Sequence, residues 1–142
     1  MPKKMVKIVS AILITLLALI SVSSCAPIPE PEYASAITEE ILQALSQDDY
    51  IKFTERFDKN IEKIMPEKKF HELAAEVELR AGSYQSKEFL KAEDSGFSII
   101  VYYNARFTEE PEDAIIEIRF KELDGEIRVT YFNIDSPKLR GN

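Results

Sequence analysis

Residues 114–132 read AIIEIRFKELDGEIRVTYF and contain two alternating stretches joined by an Asp-Gly pair. In the first stretch every second residue is apolar, namely Ala114, Ile116, Ile118 and Phe120. Asp124 and Gly125 suit a two-residue type I′ turn, because both central positions of that turn need a positive φ angle. The sequence therefore predicts a β-hairpin here.

The turn sets a register for the hairpin, starting from Leu123 opposite Glu126. It predicts three further opposed pairs, Phe120 with Val129, Ile118 with Tyr131, and Glu117 with Phe132. In this register the apolar residues of both strands share one face. Alternation also runs through residues 97–107 and, less regularly, through residues 84–92. We expect an antiparallel meander with one apolar face.

Upstream of the meander, apolar residues recur at helical spacing. The pattern predicts helices over residues 33–45, 50–57 and 66–81. Asp49 is placed to cap the second helix, and Gly82 is placed to end the third in the left-handed conformation. Three helices thus precede the first clear strand.

Length and composition agree with one domain. The chain has 142 residues, of which 45% are hydrophobic and 30% are charged, as in ordinary globular proteins. Helices that precede an antiparallel meander cover its apolar face. We predict an α+β domain over residues 33–137, built of three N-terminal helices packed on a curved antiparallel sheet of about four strands, with a tail at 138–142.

The first residues have the features of an export signal. They begin with three lysines, Lys3, Lys4 and Lys7. An apolar run follows at residues 8–20 and is too short to cross a bilayer. Val22-Ser23-Ser24-Cys25 then resembles the lipobox of bacterial lipoproteins, whose cysteine is lipidated. The resemblance implies a signal peptide at residues 1–24, acyl chains such as palmitate on Cys25, and an extracytoplasmic domain anchored to the cell membrane.

Two other interpretations of Cys25 stay open, a free thiol in an uncleaved anchor and a free thiol in a secreted protein. The anchor is joined to the domain by residues 25–32, which are rich in proline and favour an extended polyproline II segment. At about 3.1 Å per residue, this segment would hold the domain roughly 20 Å from the lipid surface. We expect it to be an inert spacer.

Charge and residue counts exclude several classes of function. From Cys25 onward the chain carries 25 acidic and 15 basic side chains, a net charge of −10, which disfavours nucleic acid and anionic membrane surfaces as partners. One cysteine and one histidine exclude an internal disulfide, a Cys/His zinc cluster and a multi-histidine metal centre. We expect no cofactor and no bound metal.

The junction between the first two predicted helices resembles that of a known superfamily. Residues 44–53, ALSQDDYIKF, and Phe57-Asp58 resemble the turn found there in the nuclear-transport-factor-two-like, or cystatin-like, superfamily. Residues 65–70 and 82–84 resemble the starts of the third helix and of the sheet in an uncharacterised small domain of that superfamily, found alone or ahead of an alpha/beta-hydrolase. The resemblance implies a cone formed by helices and sheet. Catalytic members need a base that faces an oxyanion-binding pair inside the cone, and no such pair can be placed on this sequence.

Four residues are candidates for a binding pocket or surface, Tyr103, Tyr131, Tyr102 and Arg106. Tyr103 and Tyr131 fall on apolar sheet faces, where buried hydroxyls need partners. Core packing is the simpler explanation for both. Tyr102 and Arg106 fall on the opposite face of their strand, and a half-apolar outer face is typical of interaction modules.

The remaining candidates have simple structural explanations. His71 is the one side chain that normally titrates near neutrality, but it lies off the apolar stripe of its helix and is expected to be exposed. Asp48 and Asp49 are explained as a solvated residue and a helix cap. The acidic residues 109–113 lack the spacing of a calcium loop and are expected to form a solvated turn.

Two hypotheses of function follow. In the first, the protein is a membrane-anchored lipoprotein with a non-catalytic domain that binds a small molecule or an envelope protein through the cone interior or the outer sheet face. In the second, it is a small isomerase or hydrolase with a cone pocket, in which Asp49 or His71 is the base and a tyrosine the oxyanion donor. A homodimer formed through the sheet is a third, structural possibility.

Overall fold

Five antiparallel strands form one sheet in the computed structural model, which describes residues 26–141. The predicted signal peptide at residues 1–24 and the predicted lipidation site Cys25 lie outside the described residues. The strands are β1 (Ala26–Ile28), β2 (Tyr84–Asp94), β3 (Ile99–Phe107), β4 (Ala114–Leu123) and β5 (Glu126–Asp135). They neighbour one another in the order of the sequence.

Four helices lie between β1 and β2 in this part of the chain. They are α1 (Glu32–Ser46), α2 (Tyr50–Thr54), α3 (Ile61–Ile64) and α4 (Glu67–Arg80). The predicted α+β class is confirmed, with one helix and one strand more than expected. The additional helix, α3, is a single turn, which is too short for a helical period to show in the sequence.

The additional strand comes from the proline-rich segment. Ala26 lies opposite Asp94 and Ile28 opposite Ala92, so β1 extends the sheet beside β2. Pro27 is tolerated because an edge strand can leave one side of its backbone unpaired, and Ile28 packs against the core. The prediction of an inert spacer over residues 25–32 is therefore wrong for these three residues, which belong to the domain.

Local signals identified the start of α2 and the end of α4 correctly, whereas α2 ends at Thr54 and not at the predicted residue 57. The Asp49 carboxylate accepts a hydrogen bond from the Lys52 N–H at 3.0 Å and caps α2. Gly82 follows α4 with a φ of 81°, and a Cβ atom at this position would lie 2.1 Å from Thr108 Oγ1. Only glycine fits there, because the left-handed backbone and the close contact both exclude a side chain.

The hairpin turn between β4 and β5 is confirmed. Asp124 and Gly125 have φ angles of 54° and 80°, as a type I′ turn requires. Phe120 lies opposite Val129, in the predicted register.

Beyond that pair the predicted register is wrong. A bulge beside Arg119 shifts the pairing, so that Ile118 lies opposite Phe132 and Arg119 opposite Tyr131. A bulge adds one unpaired residue to a strand, which alternation along the sequence does not reveal. The shift brings the Phe132 ring to 5.8 Å from that of Phe53 in the core. It leaves Tyr131 on the opposite face with 41% exposure, so the placement of Tyr131 on the apolar face is wrong.

The helices and the apolar face of the sheet enclose an aromatic core. The Phe53 ring of α2 lies 5.0 Å from Phe57 and 4.7 Å from Phe70. The sheet contributes fully buried side chains at alternate positions, namely Val101, Tyr103, Ile116, Ile118, Phe120 and Val129. Aromatic pairs of this kind contribute about 0.5–1.5 kcal/mol beyond their burial. These side chains form the packed core between the helices and the sheet.

Candidate functional site

Tyr103, predicted as a pocket residue, is part of the core. It is only 1% exposed, and its hydroxyl donates a hydrogen bond to Glu30 Oε1 at 2.7 Å. Burial raises the pKa of Tyr103, and the hydrogen bond to Glu30 raises it further. The hydroxyl therefore stays neutral and holds the segment that joins β1 to α1.

A second group of polar contacts lies nearby, between β2 and α1. The Tyr84 hydroxyl donates to Glu39 Oε2 at 2.6 Å, and Lys87 Nζ lies 3.6 Å from that oxygen and 2.8 Å from Ser35 Oγ. The Lys87 side chain is only 7% exposed, and its ammonium lies 4.8 Å from the centroid of the Tyr103 ring. These contacts tie β2 to α1, so the two tyrosine hydroxyls stabilise the fold.

The other side of the sheet carries a mixed apolar and charged surface, which we call the outer face. Its side chains alternate along the strands with those of the core. They are Lys91 and Glu93 of β2, Ile100, Tyr102, Asn104 and Arg106 of β3, Ile115, Glu117 and Arg119 of β4, and Tyr131 and Asn133 of β5. Three of the four predicted candidates, Tyr102, Arg106 and Tyr131, lie on this face.

Tyr102 lies on the outer face of β3, the strand between β2 and β4. The Lys91 ammonium is 4.5 Å from the centroid of its ring, and Glu117 is its neighbour on β4. Lys91 also forms an ion pair with Glu93 at 2.7 Å. Partial burial raises the pKa of Tyr102, and the carboxylates of Glu117 and Glu93 raise it further. The ring is thus held in place while its hydroxyl stays neutral.

Arg119 holds the second tyrosine of the outer face. Its guanidinium lies 4.5 Å from the centroid of the Tyr131 ring, and its Nη2 lies 2.6 Å from Glu117 Oε1. The hydrogen bond to Glu117 raises the pKa of Arg119. Sequence analysis did not single out Lys91, Glu117 or Arg119 as site residues. The alternation of β4 was the available signal for the last two, since it places them opposite the apolar positions.

Arg106 lies apart from the two tyrosine clusters. Its Nε is 3.3 Å from Asp113 Oδ1, and its side chain is 70% exposed. An exposed ion pair of this kind contributes little to stability. Arg106 is therefore available at the surface, as the sequence predicts.

The acidic residues 109–113 do not form a fully solvated turn. Glu110 is only 8% exposed, and one of its carboxylate oxygens accepts a hydrogen bond from the Lys138 N–H at 3.1 Å. Burial alone would raise the pKa of Glu110, but hydrogen bonds from Ser136, Lys138 and Glu112 outweigh it and lower the pKa. This carboxylate anchors the C-terminal turn, so the prediction of a solvated turn over residues 109–113 is wrong for Glu110.

His71 and Asp48 are brought together, which the sequence did not predict. His71 Nδ1 lies 2.6 Å from Asp48 Oδ1, and its Nε2 lies 3.7 Å from Glu67 Oε1. The hydrogen bond to Asp48 raises the pKa of His71. The pair is exposed to solvent. Within residues 26–141, the hydrogen bonds of His71 and Asp49 involve no tyrosine hydroxyl.

Clefts and metal-binding groups give no stronger candidate. A surface cleft of about 280 Å³ lies between α1 and α2, and two of its charged residues, Glu40 and Arg56, pair with each other at 3.2 Å. Two larger open clefts, each of about 560 Å³, lie beside the start of β5 and share Glu126 and Arg128, which also pair with each other. The described residues contain no group of three or more His, Cys, Asp or Glu side chains that could hold a metal ion. Nor does any helix within 26–141 have the length and hydropathy needed to cross a membrane.

Comparison with known proteins gives a family match. The family model DUF3887, described as a protein of unknown function, matches residues 38–131, more than half of the chain. The matched range runs from within α1 to within β5 and includes most of the core and of the outer face. No curated protein and no solved structure matches the chain.

Proposed function

The chain belongs to the DUF3887 family of proteins of unknown function, and we propose that it is a lipid-anchored, extracytoplasmic binding protein whose outer face binds another protein of the cell envelope. In this proposal the domain has the nuclear-transport-factor-two-like fold and is not catalytic. The order of the helices before the sheet supports the fold. The lipobox-like Val22-Ser23-Ser24-Cys25 supports the membrane anchor.

The two sides of the sheet differ, and this difference carries the proposal. On the inner side, Tyr103 and Tyr84 donate their hydroxyl hydrogen bonds to Glu30 and Glu39, and apolar side chains pack around them in the core. On the outer side, Tyr102 and the residues around it stay partly accessible. A binding surface is therefore better supported on the outer face than in a pocket beneath the helices.

The outer face has the composition of a protein interface. Tyrosine and arginine are enriched at such interfaces and provide much of the binding energy. Tyr102 and Tyr131 are each held by a cation at 4.5 Å, so binding orders them at little cost in side-chain entropy. The residues spread over four strands instead of converging on a cavity. This arrangement fits a protein partner better than a small molecule.

The enzyme hypothesis has less support. Both candidate bases are engaged in other contacts, His71 with Asp48 and Asp49 with the Lys52 N–H. A general base must lie within hydrogen-bond reach of the proton that it abstracts from the substrate. Both residues lie on the helical side of the domain, away from the outer face.

Site-specific photocrosslinking in cells that make the full chain tests the proposal. Benzoylphenylalanine replaces Tyr102 or Tyr131 on the outer face, and Leu79 of α4 is the control position because it is 84% exposed. We expect a discrete adduct with another protein from both outer positions and none from position 79. Equal adducts at all three positions, or none from the outer face, would contradict the proposal. An adduct of twice the mass of the chain would show that the partner is a second copy of this protein and not another envelope protein.

A further inference from the structure

The register of β1 fixes where the proposed lipid anchor joins the domain. Ala26 lies opposite Asp94, the last residue of β2. Cys25 precedes Ala26 in the sequence, so in the proposed lipoprotein the anchored end of the chain enters the domain at the end of the sheet that carries the β2–β3 loop, residues 95–98. This replaces the roughly 20 Å of free spacer predicted from the proline-rich sequence.

The β2–β3 loop presents a large apolar side chain to solvent. Phe97 is 85% exposed, while the loop around it is fixed by hydrogen bonds. The Gly96 N–H donates to Asp94 Oδ1 at 2.7 Å, and Ser95 Oγ donates to the Ser98 carbonyl at 2.9 Å. The Ser98 N–H donates back to Ser95 Oγ at 3.1 Å. A loop held in this way loses little conformational entropy when its tip is bound.

We propose that Phe97 is a second membrane contact, which inserts into the lipid interface beside the anchored Cys25. The contact depends on the lipid anchor and so rests on the proposed function. A single aromatic ring binds a bilayer only weakly, but the covalent anchor keeps the loop at a high effective concentration beside the lipid. Charged groups of both signs lie at this end of the sheet, the acidic Asp94 and Asp124 and the basic Lys121 and Arg128, so the contact that Phe97 makes is an apolar one. Burial of the ring, and not attraction to anionic lipids, provides the driving force.

This contact sets the orientation of the domain on the membrane. With the β2–β3 loop in the interface, β2 leads away from the lipid over its 11 residues, a length of about 33 Å. Leu79 lies in the last turn of α4, five residues before β2 starts at Tyr84, and so at the end of the domain away from the lipid. The outer face then lies roughly perpendicular to the membrane plane and is accessible to neighbouring proteins.

Tryptophan fluorescence tests the contact, because the natural chain contains no tryptophan. Two variants of the full-length lipidated protein, Phe97→Trp and Leu79→Trp, are reconstituted in phosphatidylcholine vesicles with and without brominated acyl chains. The two replaced side chains are equally exposed, at 85% and 84%, but Phe97 follows the end of β2, whereas Leu79 lies in the helix that leads into its start. We expect the emission at position 97 to shift to shorter wavelength and to be quenched by brominated lipid several-fold more than the emission at position 79.

Two results would overturn the contact, equal quenching at both positions and an emission at position 97 that stays typical of water. The mass of the N-terminal peptide separates these results from failure of the anchor. An acylated Cys25 together with a solvent-exposed tryptophan at position 97 overturns the membrane contact alone. An unacylated Cys25 overturns the anchor of the proposed function and the contact with it.

Discussion

The variant Tyr103→Phe should lower the free energy of unfolding by about 1.5 kcal/mol, because it removes one buried hydrogen bond and keeps the ring. Tyr103 is 1% exposed, and its hydroxyl donates to Glu30 Oε1 at 2.7 Å. A hydrogen bond to a charged group contributes about 1.5–3 kcal/mol. The lower end of that range applies because Glu30 is only partly buried and regains water when the hydroxyl is lost. Since the ring stays, no large cavity forms.

Urea unfolding of residues 26–142, followed by circular dichroism, measures this change. The matched control is Tyr131→Phe, which removes a hydroxyl from a ring that is 41% exposed and should change the stability by less than about 0.5 kcal/mol. A double-mutant cycle with Glu30→Ala isolates the pair, with an expected coupling energy of about 1–1.5 kcal/mol. Zero coupling, or equal stability of the two tyrosine variants, would contradict the hydrogen bond.

Three further perturbations have defined outcomes. Gly82→Ala should lower the free energy of unfolding in urea by more than about 2 kcal/mol, because the new Cβ atom would contact Thr108 and the backbone is left-handed. Gly96→Ala meets open space and should cost only about 1 kcal/mol, from backbone strain alone. Equal effects of the two variants would show that the contact at Gly82 is absent. For His71, whose folded pKa is raised, the stabilisation is complete below the unfolded pKa of about 6.5 and is lost as pH rises through the folded pKa. The difference in urea midpoint between wild type and His71→Asn should therefore be largest below about pH 6.5 and shrink as the pH rises above it, and a constant difference would contradict the ion pair. For Glu110, whose folded pKa is lowered, the stabilisation is present at neutral pH and is lost as pH falls through the folded pKa. Glu110→Gln should therefore destabilise the domain at neutral pH and have less effect in acid. The opposite trend would show that the buried carboxylate does not stabilise the C-terminal turn.

Features determined by neighbouring residues could be predicted from the sequence. The Asp124-Gly125 turn, the Asp49 cap and the glycine at position 82 each depend on backbone geometry within a few residues. The burial stripes of α1 and α4 follow from the helical period alone. For the same reason, alternation along β3 was sufficient to place Tyr102 and Arg106 on the face opposite the core.

Features determined by contacts between distant segments could not be predicted. β1 forms because β2 has an open edge, and nothing in the local proline pattern indicates a partner at Ala92 and Asp94. The bulge beside Arg119 depends on the burial of Phe132 in an aromatic core assembled from other elements. The ion pair between His71 and Asp48 likewise requires α4 to pack beside the α1–α2 turn. The clusters of the outer face were missed for this reason, since Lys91 reaches Tyr102 only across strands.

The outer face is central to the proposed function, and a charge swap tests its role most directly. In the double variant Glu117→Arg with Arg119→Glu, the ion pair between the two positions is kept while the charges presented to a partner are exchanged. The measurement is the yield of the crosslinked adduct from position 102 in cells that make the full chain, with the urea midpoint as a check on folding. We predict that the yield falls by about tenfold, equivalent to about 1.4 kcal/mol of binding, while the midpoint falls only slightly, because the cation beside the Tyr131 ring is lost. An undiminished adduct from the folded double variant would contradict binding through the outer face.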